Sequence, residues 1–135
     1  MWVNVETNPY SQCALPKGAD MCILLTNMIN EIIKQGKTPG VYSNVYMWNY
    51  YLDGLCTNFA STIATWYPHD DKLPNFYDFQ DFGSYGPWTQ YKNATLKQFK
   101  LDSSLCNITG NVNQLNMQFD DFDNVKAKTN NQMIY

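Results

Sequence analysis

Residues 1–43 impose the strongest constraint on the fold, because they read as a strand, a helix and a second strand in immediate succession. Met1-Trp2-Val3-Asn4-Val5-Glu6 has the alternation of a buried strand. From Asp20 to Gln35 the apolar residues Met21, Leu24, Leu25, Met28, Ile29, Ile32 and Ile33 recur at helical spacing and predict one apolar stripe. Gly36 stops that helix, and Pro39-Gly40 opens the short strand Val41-Tyr42-Ser43. Two strands joined through a helix pair in parallel. The unit belongs to an α/β barrel or a doubly wound sheet. Farther along, Val45 to Leu52 predicts a short aromatic helix, and Thr62 to Tyr67 and Thr95 to Phe99 predict strands. Val112 to Phe119 is a last, weaker strand, followed by a polar tail from Asp120 that is expected to fray.

The chemistry is concentrated in the first strand. Trp2, Asn4 and Glu6 share one face while Val3 and Val5 share the other, which sets a carboxylic acid roughly 7 Å along the strand from a carboxamide. Such a pair suits sugar chemistry, in which one acid protonates the leaving oxygen and a second polar group holds a nucleophile. The same triplet also occurs as a solvated strand end or a helix cap, so it needs support from the rest of the chain.

Composition bounds that support. The chain has 135 residues, 44% of them hydrophobic and 16% aromatic, enough for one core, and it has no apolar run long enough to span a membrane. A net charge of -3 with no basic run argues against nucleic acid as a partner. The pI of about 4.8 suits work in an acidic compartment, where repulsion from an anionic polymer vanishes.

Taken in order, the short motifs resemble those of the family 25 glycoside hydrolases, the lysozymes that cut the muramic acid linkage of peptidoglycan. Trp2 to Glu6 is similar to that family's strand ending in Asp-x-Glu, and Pro39 to Ser43 to its next strand. Trp66-Tyr67-Pro68-His69-Asp70-Asp71 resembles its Trp-Tyr-Ala-His-Tyr-Asp; Trp88 and Leu96-Lys97-Gln98-Phe99 resemble its Gly-Trp and Lys-Gln-Tyr. Asn113-Gln114-Leu115-Asn116 lies where the family has Asp-x-Asn. The resemblance implies a partial TIM-like (β/α) barrel holding about strands four to eight, with residues 1–119 as the C-terminal part of a catalytic domain and 120–135 as tail. It implies Glu6 as general acid with Asn4 in the second catalytic role, and Tyr42, Trp66, Tyr67, Asp71, Trp88 and Gln98 as substrate-binding residues. His69 is read as a hydrogen-bonded support for Asp71; no metal and no cofactor are implied. The partner is peptidoglycan or a related N-acetylated glycan, with neither nucleic acid nor membrane.

Two substitutions depart from the family. Asn4 stands where its motif has an acid, and Asn113 or Gln114, depending on alignment, stands at the acid of the last strand. A carboxamide cannot serve as a charged base, although Asn4 can hold the substrate's acetamide. The alternative function is therefore a degenerate glycan-binding relative or a truncated remnant, and a blander alternative is an unrelated secreted α/β domain. An arc of about five parallel strands would leave Met1 to Val5 on an open edge, and pairing of two such edges would make a dimer.

Four cysteines, at 13, 22, 56 and 106, allow three pairings if all are bridged. Cys13 with Cys22 would pin the loop after the first strand, leaving Cys56 with Cys106; reduced, buried thiols are the other reading. The acceptor triplets Asn93-Ala94-Thr95 and Asn107-Ile108-Thr109 fit a secreted, lysosomal or vacuolar protein, but no signal peptide precedes the first strand.

Overall fold

The computed structural model describes residues 1–7, 15–56, 63–85 and 94–116. Cys13, Trp88, Asn93, residues 117–119 of the last expected strand and the 120–135 tail lie outside them. The elements run β1 (Trp2–Asn4), α1 (Gly18–Lys34), β2 (Gly40–Tyr42), α2 (Val45–Leu52), β3 (Ala64–Pro68), α3 (Phe79–Phe82), β4 (Leu96–Leu105) and β5 (Ile108–Leu115). The five strands form one sheet in the order β1-β2-β3-β4-β5. The β1/β2, β2/β3 and β3/β4 pairs are parallel, whereas β5 returns antiparallel to β4 through a two-residue turn. The fold is thus α/β with a mostly parallel sheet. Among the described residues β1 lies at the edge of the sheet, as the sequence predicts, while the expected fifth parallel strand is corrected to an antiparallel one.

One side of the sheet carries the core. Val3, Val5, Val41 and Tyr67 project from the strands onto Met21, Leu25, Ile29 and Ile32 of α1 and onto Trp48, Tyr51 and Leu52 of α2, all buried. Each large apolar side chain so buried contributes roughly 1.5–3 kcal/mol. Only part of the expected stripe is covered, since Leu24, Met28 and Ile33 are exposed. Gly36 ends α1 at φ +69, a left-handed conformation natural to glycine, and its N–H returns to Ile33 O at 2.9 Å. α2 is capped by Asn44, whose Oδ1 accepts the Met47 N–H at 2.8 Å.

Cys22 of α1 is bonded to Cys56, just beyond α2, and ties the two helices together. This corrects the expected pairing of Cys13 with Cys22 and Cys56 with Cys106. Cys106 sits exposed and free in the β4–β5 turn, well away from the helices that bring Cys22 and Cys56 together.

Candidate active site

The strand pleat assembles a polar row on the sheet face opposite the helices. Asn4 lies across from Tyr42, Tyr42 across from Trp66, and Gln98 across from Asn113. Trp2, Asn4, Glu6, Tyr42, Trp66, Gln98 and Asn111 line a cleft of about 250 Å³ over this row. The backbone delivers Glu6 to it. The Val5 N–H donates to Tyr42 O at 2.9 Å, and Ser43 Oγ donates to Val5 O at 2.8 Å, so the chain entering Glu6 is held at both polar groups of the Val5 backbone.

Asn4 Nδ2 donates to Glu6 Oε1 at 2.8 Å. The alternation that put acid and amide on one face therefore brings them into direct contact. Tyr42 donates its hydroxyl to Gln98 Oε1 at 3.0 Å, and Trp66 donates its indole N–H to Asn113 Oδ1 at 3.0 Å. Trp66 stands edge-on between two other rings, 4.8 Å from Tyr42 and 5.4 Å from Trp2. Burial, and then the nearby Glu6 carboxylate, push the Tyr42 phenol well above its ordinary range. It stays a neutral donor. Trp2 lies flat on Gly40, where an added Cβ would come within 2.4 Å of the indole.

Of the residues expected at the site, Asn4, Glu6, Tyr42, Trp66 and Gln98 converge here, and Trp88 lies outside the described residues. Tyr67 and Asp71 are not brought to the cleft. Tyr67 follows Trp66 and therefore points to the opposite side of the sheet, where it is fully buried. Its hydroxyl donates to Asp78 Oδ1 at 2.8 Å. Lys97, also fully buried, places Nζ 2.6 Å from Asp71 Oδ2 and 2.9 Å from Asp78 Oδ1. His69 Nδ1 is 2.5 Å from Asp78 Oδ2 but 3.6 Å from Asp71 Oδ2, so its partner is Asp78 rather than Asp71. His69, Asp71 and Asp78 are close enough to share a metal ion. The Lys97 ammonium already compensates both carboxylates, which leaves that trio a poor cation site.

Sequence reasoning passed over Trp2 and Asn111 as site residues. Trp2 was signalled by its shared face with Asn4 and Glu6. Asn111 is two residues before Asn113 on one strand, a signal hidden because β5 begins at Ile108 and not at Val112. Strand parity also decides between the two aligned candidates: Asn113 faces the cleft, while Gln114 is paired with Lys97 on the other side.

Among the described residues the cleft offers one carboxyl group, three half-buried ring systems and several carboxamides. That set is suited to gripping an amide-bearing sugar and passing one proton.

Comparisons with known proteins bear on the family and the fold. A family model described as Lysozyme-like protein 1 matches residues 1–99. Lysozyme-like protein 1 of Caenorhabditis elegans is 32% identical over 96 residues, covering 63% of this chain and 30% of that protein. Lysozyme-like protein 7 of the same organism is 31% identical over 122 residues, covering 82% of this chain and 38% of that protein. The chain thus spans well under half the length of these relatives. Among solved structures, a muramidase from Trichobolus zukalii superposes with a TM-score of 0.64 at 18% identity, over 93% of this chain and 53% of that one. At that identity the likeness bears on the fold alone.

Proposed function

The chain belongs to the Lysozyme-like protein 1 family, and from that premise we propose that it is a lysozyme-type glycosidase acting on the muramic acid linkage of peptidoglycan. Residues 1–119 would contribute to its catalytic domain. The observation that carries the reading is the contact of Asn4 Nδ2 with Glu6 Oε1 at 2.8 Å, inside a cleft walled by Trp66 and Tyr42.

The contact supports a division of roles between the two residues. Oε1 accepts from Asn4, which leaves Oε2 as the oxygen that would carry a proton to the glycosidic oxygen when Glu6 acts as general acid. As that proton transfers, the bond to the anomeric carbon breaks through an oxocarbenium-like state. The second N–H and the Oδ1 of Asn4 hold the substrate's acetamide, whose carbonyl oxygen attacks the anomeric carbon in place of a protein carboxylate. Trp2, Tyr42 and Trp66 stack on the sugar faces, and the neutral Tyr42 hydroxyl keeps Gln98 oriented. The Cys22–Cys56 bridge supports a secreted, lysosomal or vacuolar location.

A second reading, glycan binding without turnover, is favoured by one observation: Glu6 is the lone carboxyl among the described residues lining the cleft. Release of reducing sugar from purified peptidoglycan at acidic and neutral pH separates the two. Under the first reading Glu6→Gln lowers kcat about 10²- to 10⁴-fold, the usual weight of a general acid. Binding of peptidoglycan with no turnover in the parent chain would establish the second.

A further inference from the structure

The β4–β5 hairpin carries a feature that the cleft does not use. β4 pairs with β3 only from Leu96 to Gln98, yet continues to Leu105, so the hairpin tip stands roughly 20 Å beyond the parallel part of the sheet. At the tip Leu105 faces Ile108, and Cys106 and Asn107 form the turn with φ of 52 and 64. Two successive left-handed residues match the twist of a tight hairpin, and asparagine accepts that conformation more readily than most side chains. Asn107 thereby projects from the apex. It begins the triplet Asn107-Ile108-Thr109, all three residues exposed, with Ile108 at 69%. Among the described residues the strand that follows is an edge strand, with no charged residue from Ile108 to Leu115 and with Ile108, Val112 and Leu115 exposed on it. Edges of this kind are normally blunted by charge, proline or a cover.

We propose that Asn107 is an N-glycosylation site whose glycan shields the β5 edge. The donor is a lipid-pyrophosphate-linked oligosaccharide. A bond forms between Asn107 Nδ2 and the anomeric carbon of the first sugar, the bond from that carbon to the pyrophosphate oxygen breaks, the lipid pyrophosphate leaves, and Nδ2 gives up one proton. Thr109 supplies the hydroxyl that defines the acceptor. The proposal rests on the secreted location given above and is independent of glycosidase activity.

The test is peptide mapping of the protein purified from its own source, with enzymatic N-glycan release in heavy-oxygen water. Residue 107 is expected as aspartate carrying the heavy oxygen. In cells that secrete the chain, Asn107→Gln and Thr109→Ala are expected to lose one glycan's worth of electrophoretic shift, while Thr109→Ser keeps it. Recovery of unmodified asparagine at 107 from protein whose Cys22–Cys56 bridge is intact overturns the proposal, and native-protein mapping decides the matter even if a variant fails to fold. Failure of the glycosidase reading would appear separately, as peptidoglycan turnover unaffected by Glu6→Gln.

Discussion

Replacing Lys97 by methionine tests whether the ion network behind the sheet is a charge-compensated part of the core. Methionine keeps the length and most of the volume of the lysine stem, so packing changes little. What disappears is the ammonium held 2.6 Å from Asp71 and 2.9 Å from Asp78. Removing one partner of a buried ion pair costs about 3–5 kcal/mol because the other charge is left uncompensated. The two carboxylates keep 17% and 15% exposure, which places the cost near the lower end, at roughly 3 kcal/mol. For a domain of this size that corresponds to a fall in Tm of about 10 °C. The pH dependence follows from the carboxylates. Burial raises the pKa of Asp71, but its hydrogen bonds from Lys97 and the Leu73 N–H outweigh burial and hold it below the ordinary value; Asp78 is lowered by Lys97, His69 and Tyr67 against the same opposing burial. Folded pKa values below the unfolded ones give stability that is complete above the unfolded carboxylate pKa of about 4 and lost as pH falls through the folded values. The gap between parent and Lys97→Met is therefore widest at neutral pH and narrows on acidification below about pH 4. Thermal unfolding followed by circular dichroism across a pH series measures it. A variant as stable as the parent at neutral pH, or a gap that persists unchanged in acid, would refute the reasoning.

Two further outcomes are expected. Gly40→Ala forces the Trp2 indole off the backbone it covers, lowering stability by about 1–3 kcal/mol and shifting tryptophan fluorescence; chemical denaturation with unchanged emission would show that the ring has room to move. Opening the Cys22–Cys56 bridge, with both residues changed to serine, releases a loop of 34 residues' separation and costs about 4 kcal/mol on the chain-entropy account. Equal unfolding midpoints for the oxidised parent and the double variant would contradict it.

Much of the fold was legible because its signals are local. The helix Val45–Leu52 coincides with its sequence prediction, and Gly36 ends α1 through a conformation that other residues avoid. The apolar stripe of α1 was read too widely, since periodicity marks which residues could face a core but not how much core there is to face; Leu24, Met28 and Ile33 remain exposed. The start of β5 was missed for a related reason. Gly110, Asn111 and Asn113 are poor strand formers, so the pairing is imposed by β4 rather than by local preference. Disulfide pairing depends on which helices pack together, and spacing along the chain carries no such information.

The candidate site shows where a contiguous motif misleads. Trp66 and Tyr67 are neighbours in sequence, as are Lys97 and Gln98, yet the pleat sends Trp66 and Gln98 into the cleft and Tyr67 and Lys97 into the ion network on the opposite side. One motif thus serves two faces. The faces are coupled through the backbone, because the His69 N–H donates to Gln98 O at 2.9 Å and the Lys72 N–H to Phe99 O at 2.8 Å. The loop that carries His69 and Asp71 is consequently fastened to β4 beside Gln98, which lines the cleft on the other face. Under the proposed function, Lys97 would bear on glycan binding without touching glycan: its removal loosens the loop fastened beside Gln98 while leaving Asn4 and Glu6, which are held from β1 and β2, in place. Weaker glycan binding with the Asn4–Glu6 contact intact is the outcome that the proposed function expects of Lys97→Met.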